Sequence, residues 1–402
     1  MLLGIDFGTT FTAAAIADKE SVRLVELDYD RTIAPTAVFV QNDGGLVFGQ
    51  DAWLAGMAAP ERLLLDVKAD LGRLETYRVG VHDVSVVDAA AAAFRHVRDM
   101  VVARVEGFDS ATPVTITIPV SEGDGAGRMK AYRAAAERAG FTLDQLGFVA
   151  EPVAAATGML ADGKRPDGIE PGSAFLIYDL GGGTFDAAAM VFEGRSCRLA
   201  CAPIGDNSIG GVRFDRAILD SILNDHSDAD AARFERPDAQ DEIAAWRGRM
   251  SLALRACREA KERLAISTQI PVAVPGLPPV LLSTGAMEAI LEQFIERTIG
   301  LLKQLEARVS EQGMTPSGIL LVGGSCRLRM VPRLLSERFA LPLLPAPDPA
   351  RVVAIGGAVH AKARMHQGDV PLPARRLKGE RRNPFAAFVT PQLMPTEKRE
   401  RS

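Results

Sequence analysis

The sequence predicts an α/β protein of two lobes built on one plan, each around a mixed sheet, with a cleft between them. Three observations carry that expectation. The chain has 402 residues, 47% hydrophobic and 24% charged, enough to fill more than one core. Short apolar strand patterns alternate with helical patterns of 3.6-residue period along its length. A strand–turn–strand unit also occurs twice. Asp6-Phe7-Gly8 followed by Phe11-Thr12-Ala13-Ala14-Ala15 matches Asp179-Leu180-Gly181 followed by Phe185-Asp186-Ala187-Ala188-Ala189, with one residue inserted in the second turn.

The first unit is a strand over Leu2–Phe7, a Gly8-Thr9-Thr10 turn and a strand over Phe11–Ala17, with residues 22–27 adding a third strand. A short strand at 37–40 precedes an Asn42-Asp43-Gly44 turn. Residues 88–105 are alanine-rich with helical period, 112–120 form a β-branched strand ending at Pro119, and 127–139 form a helix stopped by Gly140. Another helix begins at Val153, and the Gly-, Pro- and charge-rich stretch 162–172 connects the lobes. The pattern then restarts with a strand at 174–178, the Gly181-Gly182-Gly183-Thr184 turn and a strand over Phe185–Phe192. Helices follow at 212–224, 238–264 and 287–312, with a β-rich stretch up to Leu282, then a strand at 318–322 and helices at 330–339 and 349–365. The expected division is lobe I over 1–170 (core 1–34 and 106–170, inserted subdomain 35–105) and lobe II over 171–348 (core 171–212 and 285–348, inserted subdomain 213–284). A closing helix at 349–366 packs back on lobe I, and the Pro- and Arg-rich tail 367–402 is expected to be disordered.

A polyphosphate is held by backbone N–H donors brought close, and glycine permits that approach because it has no Cβ. Gly8, Thr9 and Thr10 in one turn, and Gly181, Gly182, Gly183 and Thr184 in the other, supply such donors together with hydroxyls. Each unit also places an aspartate, Asp6 or Asp179, near the end of its first strand. Facing across a cleft, the two carboxylates suit a hydrated Mg2+, which keeps most of its waters and needs few protein ligands. The plain alternative is a pair of ordinary Gly-Thr hairpins. Residues 158–164 have P-loop spacing, but Arg165 stands where Ser or Thr is required and a helix precedes them.

These motifs, with Leu321-Val322-Gly323-Gly324-Ser325-Cys326-Arg327, resemble the ATPase domain of the seventy-kilodalton heat-shock (DnaK-type) chaperones and, more weakly, actin and the sugar kinases. The resemblance runs over about residues 2–364. It implies a two-lobed actin-like ATPase fold with duplicated ribonuclease-H-like mixed sheets, five strands in each, binding ATP/ADP and Mg2+ in the cleft. Residue by residue, it implies Lys68 as the cation that stabilises the transferring phosphate, and Glu151, Asp179 and Thr184 as groups orienting metal and water. Asp6 and Asp179 are the implied metal residues. Gly8, Thr9, Thr10, Gly181, Gly182, Gly183, Gly210, Lys261, Gly323, Gly324, Ser325 and Arg327 are the implied nucleotide contacts, with the Arg327 guanidinium on the base. Lys68 also reads as a surface lysine, Glu151 as a helix-start carboxylate, and Arg327 as an exposed helix residue. Pro119 and Arg128 resemble the family's proline/arginine relay at a longer spacing. Departures fall on the nucleoside side: Arg258 stands for a ribose-binding glutamate, Ala265 for a serine and Ala350 for an aspartate, while Val153 replaces a cleft threonine.

The net charge of −5 gives no field favouring nucleic acid or anionic membrane. Cys197, Cys201, Cys257 and Cys326 lack a zinc-knuckle spacing with histidines nearby and read as reduced thiols, and no secretion signal or bilayer-length apolar run occurs, so a cytoplasmic location is expected. Only residues 367–402 follow the expected closing helix, so the expectation is a slow ATPase without the family's C-terminal substrate-binding domain. It would work with a protein client or a separate substrate-binding partner. A nucleotide sensor with little turnover and an actin-like filament protein are the alternatives. The basic run Arg375-Arg376-Leu377-Lys378 reads as solvated tail.

Overall fold

The computed structural model describes residues 1–18, 21–29, 31–119, 125–161, 169–194, 197–239, 242–345, 348 and 351–366. Expectations for the 367–402 tail, Ala350 and most of the 162–172 connection lie outside the described residues.

Two mixed sheets organise the chain. The first runs in the order Leu146–Ala150, Val114–Ile118, Leu2–Phe7, Phe11–Ala17, Val22–Leu24, and Ile33–Pro35 also pairs with Phe11–Ala17. The second runs Leu343–Pro345, Pro316–Val322, Ala174–Leu180, Phe185–Phe192, Cys197–Leu199, and Ile204–Asp206 also pairs with Phe185–Phe192. Strand for strand the two are the same. In each, the glycine-turn hairpin is antiparallel and its first strand pairs in parallel with a strand arriving much later in sequence. Each sheet carries a sixth strand beyond the expected five, a three-residue segment too short to show a period in sequence.

Side-chain alternation sets the layers. Leu3, Ile5 and Phe7 face helices Val86–Arg104 and Gly125–Arg138, where the Phe7 and Phe94 rings lie 5.2 Å apart. The other face of this sheet is lined by Leu2, Ala13, Ala15 and Ala17 and receives the last described helix, Val352–His366, through Ala354 and Ala358. In the second sheet, Leu176, Tyr178 and Leu180 face helices Gly211–Asn224, Ile243–Leu264 and Thr284–Glu311. Phe175, Ile177, Ala188 and Met190 instead pack on Glu151–Met159, the helix that follows the last strand of the first sheet. Each half of the chain therefore lends its final helix to the other half's sheet. Small residues let the two exchanged helices touch: a Cβ on Gly356 would lie 1.7 Å from the Ala154 carbonyl oxygen, and one on Gly158 2.1 Å from that of Val352.

Insertions extend from both sheets. Between Ile33–Pro35 and Val114–Ile118 come a small three-stranded sheet, helix Gln50–Ala58 and the hairpin Thr76–Val79/His82–Ser85. After Ile204–Asp206 come a short helix, Asp228–Ala232, absent from the sequence expectation and capped by Ser227, then Ile243–Leu264 and the hairpin Gln269–Val272/Val280–Ser283. The insertions meet above the cleft, where the Arg255 and Arg258 guanidinium carbons lie 5.1 and 6.0 Å from the Trp53 ring centroid. Among the described residues no helix is long and apolar enough to cross a membrane.

Candidate functional site

The two glycine turns face each other. A Cβ on Gly182 would come within 1.9 Å of Thr10 Oγ1, and one on Gly183 within 2.5 Å of Thr9 Oγ1. Only glycine lets the turns approach this closely. Beside them lies a cavity of about 550 Å³. Asp6, Gly8, Thr9, Thr10, Lys68, Glu151, Asp179, Gly181, Gly182, Gly183, Thr184, Lys261, Gly323, Gly324, Ser325 and Arg327 all line it. Gly210 does not. It sits behind the second turn, where a Cβ would be 2.5 Å from the Gly183 carbonyl carbon, and Gly211 takes the lining position.

At the turn end, carboxylates crowd together. Strand register puts Asp179 directly opposite Asp186 across the second hairpin, so both side chains leave the same face. In the first hairpin the partner of Asp6 is Ala13, and Asp6 instead accepts a hydrogen bond from Thr117 at 3.1 Å. Glu151, at the first turn of its helix, receives the Lys68 ammonium at 2.6 Å, and both side chains are 9% exposed. Lys68 is held inward by a four-residue helix, Val67–Asp70, which excludes the surface-lysine reading. Burial disfavours the Lys68 charge, but Glu151, Tyr132 and Asp6 outweigh it and hold its pKa above the usual lysine value. Burial, opposed by Lys68 but reinforced by Glu151, raises Asp6 to about 7. Burial and Glu151 likewise raise Asp186 to about 7, against the hydrogen bond it accepts from Thr184 at 2.8 Å. Asp179 is pushed well above the carboxylate range by burial, then by Glu151, Asp186 and Asp6.

Asp6, Glu151 and Asp179 thus share one end of the cavity with a single buried lysine, with the Asp186 carboxyl close to Asp179, and the end is short of positive charge. That deficit fits a divalent cation. Among the described residues no group of three or more His, Cys, Asp and Glu side chains is arranged to cage a metal. The fit is therefore to an ion that keeps most of its water and takes few protein oxygens, as Mg2+ does.

The opposite end is built by helix Ile243–Leu264 and the turn after Pro316–Val322. Gly323 takes φ 86°, and a Cβ there would be 2.3 Å from the Leu180 carbonyl oxygen, so the turn lies directly on the second hairpin. Ser325 donates to the Gly181 carbonyl at 2.9 Å. Arg327, 61% exposed at the rim, reaches Asp348 at 3.4 Å. Lys261 is buried, pairs with Asp215 at 2.6 Å and donates to the Gly211 carbonyl at 2.8 Å; burial lowers its pKa and Asp215 opposes the fall. Arg258 also binds Asp215, at 3.2 Å, and lines the cavity beside Glu262, Ala265 and Ile266. Sequence reasoning assigned no role to Asp186, Asp215 or Glu262. Asp186 stood inside the second motif and could have been found there; Asp215 and Glu262 lie on helix faces that carry no local signal.

Two sheets of one topology, exchanged final helices and a glycine-lined cavity at the facing turns define the two-lobed, actin-like fold of an ATPase domain. The chain belongs to the Hsp70 family: the family model described as Hsp70 protein matches residues 91–372. It is 28% identical over 389 residues to the chaperone protein HscA homolog of Acidithiobacillus ferrooxidans, covering 90% of this chain and 58% of that protein. It is 28% identical over 372 residues to the chaperone protein DnaK of Halobacterium salinarum, covering 89% and 55% respectively. The chain thus spans little more than half the length of these relatives.

Proposed function

We propose that the cavity binds ATP with Mg2+ and hydrolyses it, and that movement of the lobes couples nucleotide state to a partner protein. The observation that carries this reading is the face-to-face meeting of the two glycine turns over a carboxylate cluster that contains one buried ammonium. About 550 Å³ suits a nucleotide-sized ligand. Phosphates belong at the turns, where backbone N–H groups converge, and the nucleoside belongs toward Lys261, Arg258 and Arg327. Asp6 and Asp179 would hold Mg2+, which neutralises charge on the phosphate oxygens when bound. One Lys68 N–H donates to Glu151, which leaves two N–H donors for the charge that develops on the terminal phosphate. Glu151 and Asp179 orient the attacking water, and Thr184 acts through Asp186. Gly210 is left as support for the second turn.

We place the lobe boundary near residue 170, with inserted subdomains at about 35–105 and 213–284, as the sheet connections suggest. Four unpaired thiols, three of them buried, agree with a cytoplasmic setting. A nucleotide sensor with little turnover is the second reading. It is favoured by Arg258 and Lys261, both already engaged by the one buried Asp215. Calorimetric titration of ATP, ADP and GTP with and without Mg2+, followed by a phosphate-release assay, separates the two. Mg2+-dependent adenine nucleotide binding with measurable release supports the ATPase, binding without release supports the sensor, and no binding removes both.

A further inference from the structure

A second cavity, of about 430 Å³, opens between the two insertions and shares no lining residue with the first. One wall carries Glu61, Arg62, Arg78 and His82; the other carries Arg236 and Arg247. Four guanidiniums and an imidazole therefore border one space in a protein of net charge −5. Arg78 pairs with Asp83 at 2.9 Å. Among the described residues Arg62, Arg236 and Arg247 form no ion pair with a carboxylate, although the chain has 51 acidic residues. Two of these three guanidiniums are held in place by uncharged groups. Arg62 donates to Asn42 Oδ1 and lies 5.6 Å from the Phe39 ring centroid. Arg247 Nη1 donates to the Arg78 carbonyl at 2.7 Å, across the gap between the insertions. His82 Nε2 lies 3.0 Å from the Asn42 carbonyl oxygen, which ties it to the loop that fixes Arg62.

Like charges gathered this way repel, and positioned forks with free N–H donors match phosphate or carboxylate oxygens in pairs. We propose that this cavity is a binding site for a small polyanion bearing two or more phosphate or carboxylate groups, and that the bound anion bridges the two insertions. The volume is that of a metabolite-sized ligand. Because the walls come from opposite insertions, the anion favours the arrangement in which they are close. It should then slow nucleotide release, and nucleotide should tighten the anion in return. This coupling alone rests on nucleotide occupying the first cavity.

The test is calorimetric titration of pyrophosphate into the full chain saturated with ADP and excess Mg2+, with Mg2+ matched in the syringe. One equivalent should bind, and Arg236→Ala with Arg247→Ala should weaken it by about tenfold per guanidinium lost. Glu61→Gln, which removes only the acidic group of the wall, should tighten it. Lys68→Ala should leave it unchanged. Equal pyrophosphate affinity in the wild type and the double arginine variant overturns the site. So does tighter binding of a hexaglutamate peptide than of pyrophosphate, which would make the occupant a protein segment. Arginine-dependent pyrophosphate binding by a protein that fails to bind ADP would instead sink the nucleotide reading and leave the anion site standing.

Discussion

Lys68 shows how much one side chain depends on its setting. Alone, a buried ammonium would lose its proton. Held 2.6 Å from Glu151 and near Asp6, it stays charged where the proposed phosphate chemistry needs it. Lys68→Ala should lower ATP turnover by about a hundredfold with ADP affinity little changed, measured by single-turnover phosphate release beside calorimetry; unchanged turnover would remove Lys68 from the mechanism. The carboxylates give a second prediction. Asp6 and Asp186 titrate near 7 in the folded protein against 3.8 when unperturbed. Between those values the folded state binds more protons than the unfolded chain, so the nucleotide- and metal-free protein gains stability as pH falls from about 8 to about 5. Asp186→Asn, which mimics the protonated form, should raise the melting temperature of that protein at the upper pH and have little effect at the lower one. A wild-type melting temperature that stays flat across this window would contradict the repulsion. Asp6 and Asp179 were legible because each ends a strand beside a glycine turn. The charge on Asp186 was legible too, but its role was not, because only strand register shows that it stands opposite Asp179.

Among the elements, the exchanged helices are the least forgiving. Glu151–Met159 and Val352–His366 cross where Gly158 meets the Val352 carbonyl and Gly356 meets the Ala154 carbonyl. Backbone cannot yield as a flexible side chain does, so Gly356→Ala should cost about 3 kcal/mol, read as a lower urea midpoint. Gly285→Ala, in a helix where a Cβ meets nothing within 4 Å, is the control and should be neutral or stabilising. A Gly356→Ala midpoint equal to wild type would show that the helices can separate without loss. Strands at Leu2–Phe7, Phe11–Ala17 and Phe185–Phe192 were readable to the residue, since apolar runs bounded by glycine turns have one reading. The three-residue strands Ile33–Pro35 and Ile204–Asp206 were not, because they exist through pairing to a neighbour and have no period of their own.

For the whole molecule, two lobes joined by crossed helices and touching again above the cleft can respond to what lies between them. Trp53, from one insertion, lies close to Arg255 and Arg258 from the other. In a Trp246→Phe protein, Trp53 is the one remaining tryptophan. Its emission should change on saturation with ATP and Mg2+, and identical spectra with and without nucleotide would mean the insertions do not move. Saturation at a hundred times the dissociation constant should also stabilise the fold by about 2.7 kcal/mol, seen as a higher melting temperature that Lys261→Ala reduces.

Sequence alone determined the duplicated hairpins, their glycine turns, the two strand-end aspartates and the family to which they point. These rest on turn chemistry and short-range period, which a few neighbouring residues specify. Tertiary structure decided that Glu151–Met159 packs on the second sheet, that Lys68 meets Glu151, that Asp215 restrains both Lys261 and Arg258, and that arginines from two insertions share one cavity. Those contacts join residues tens to hundreds of positions apart. They arise from how packed layers are stacked, and no local pattern encodes that.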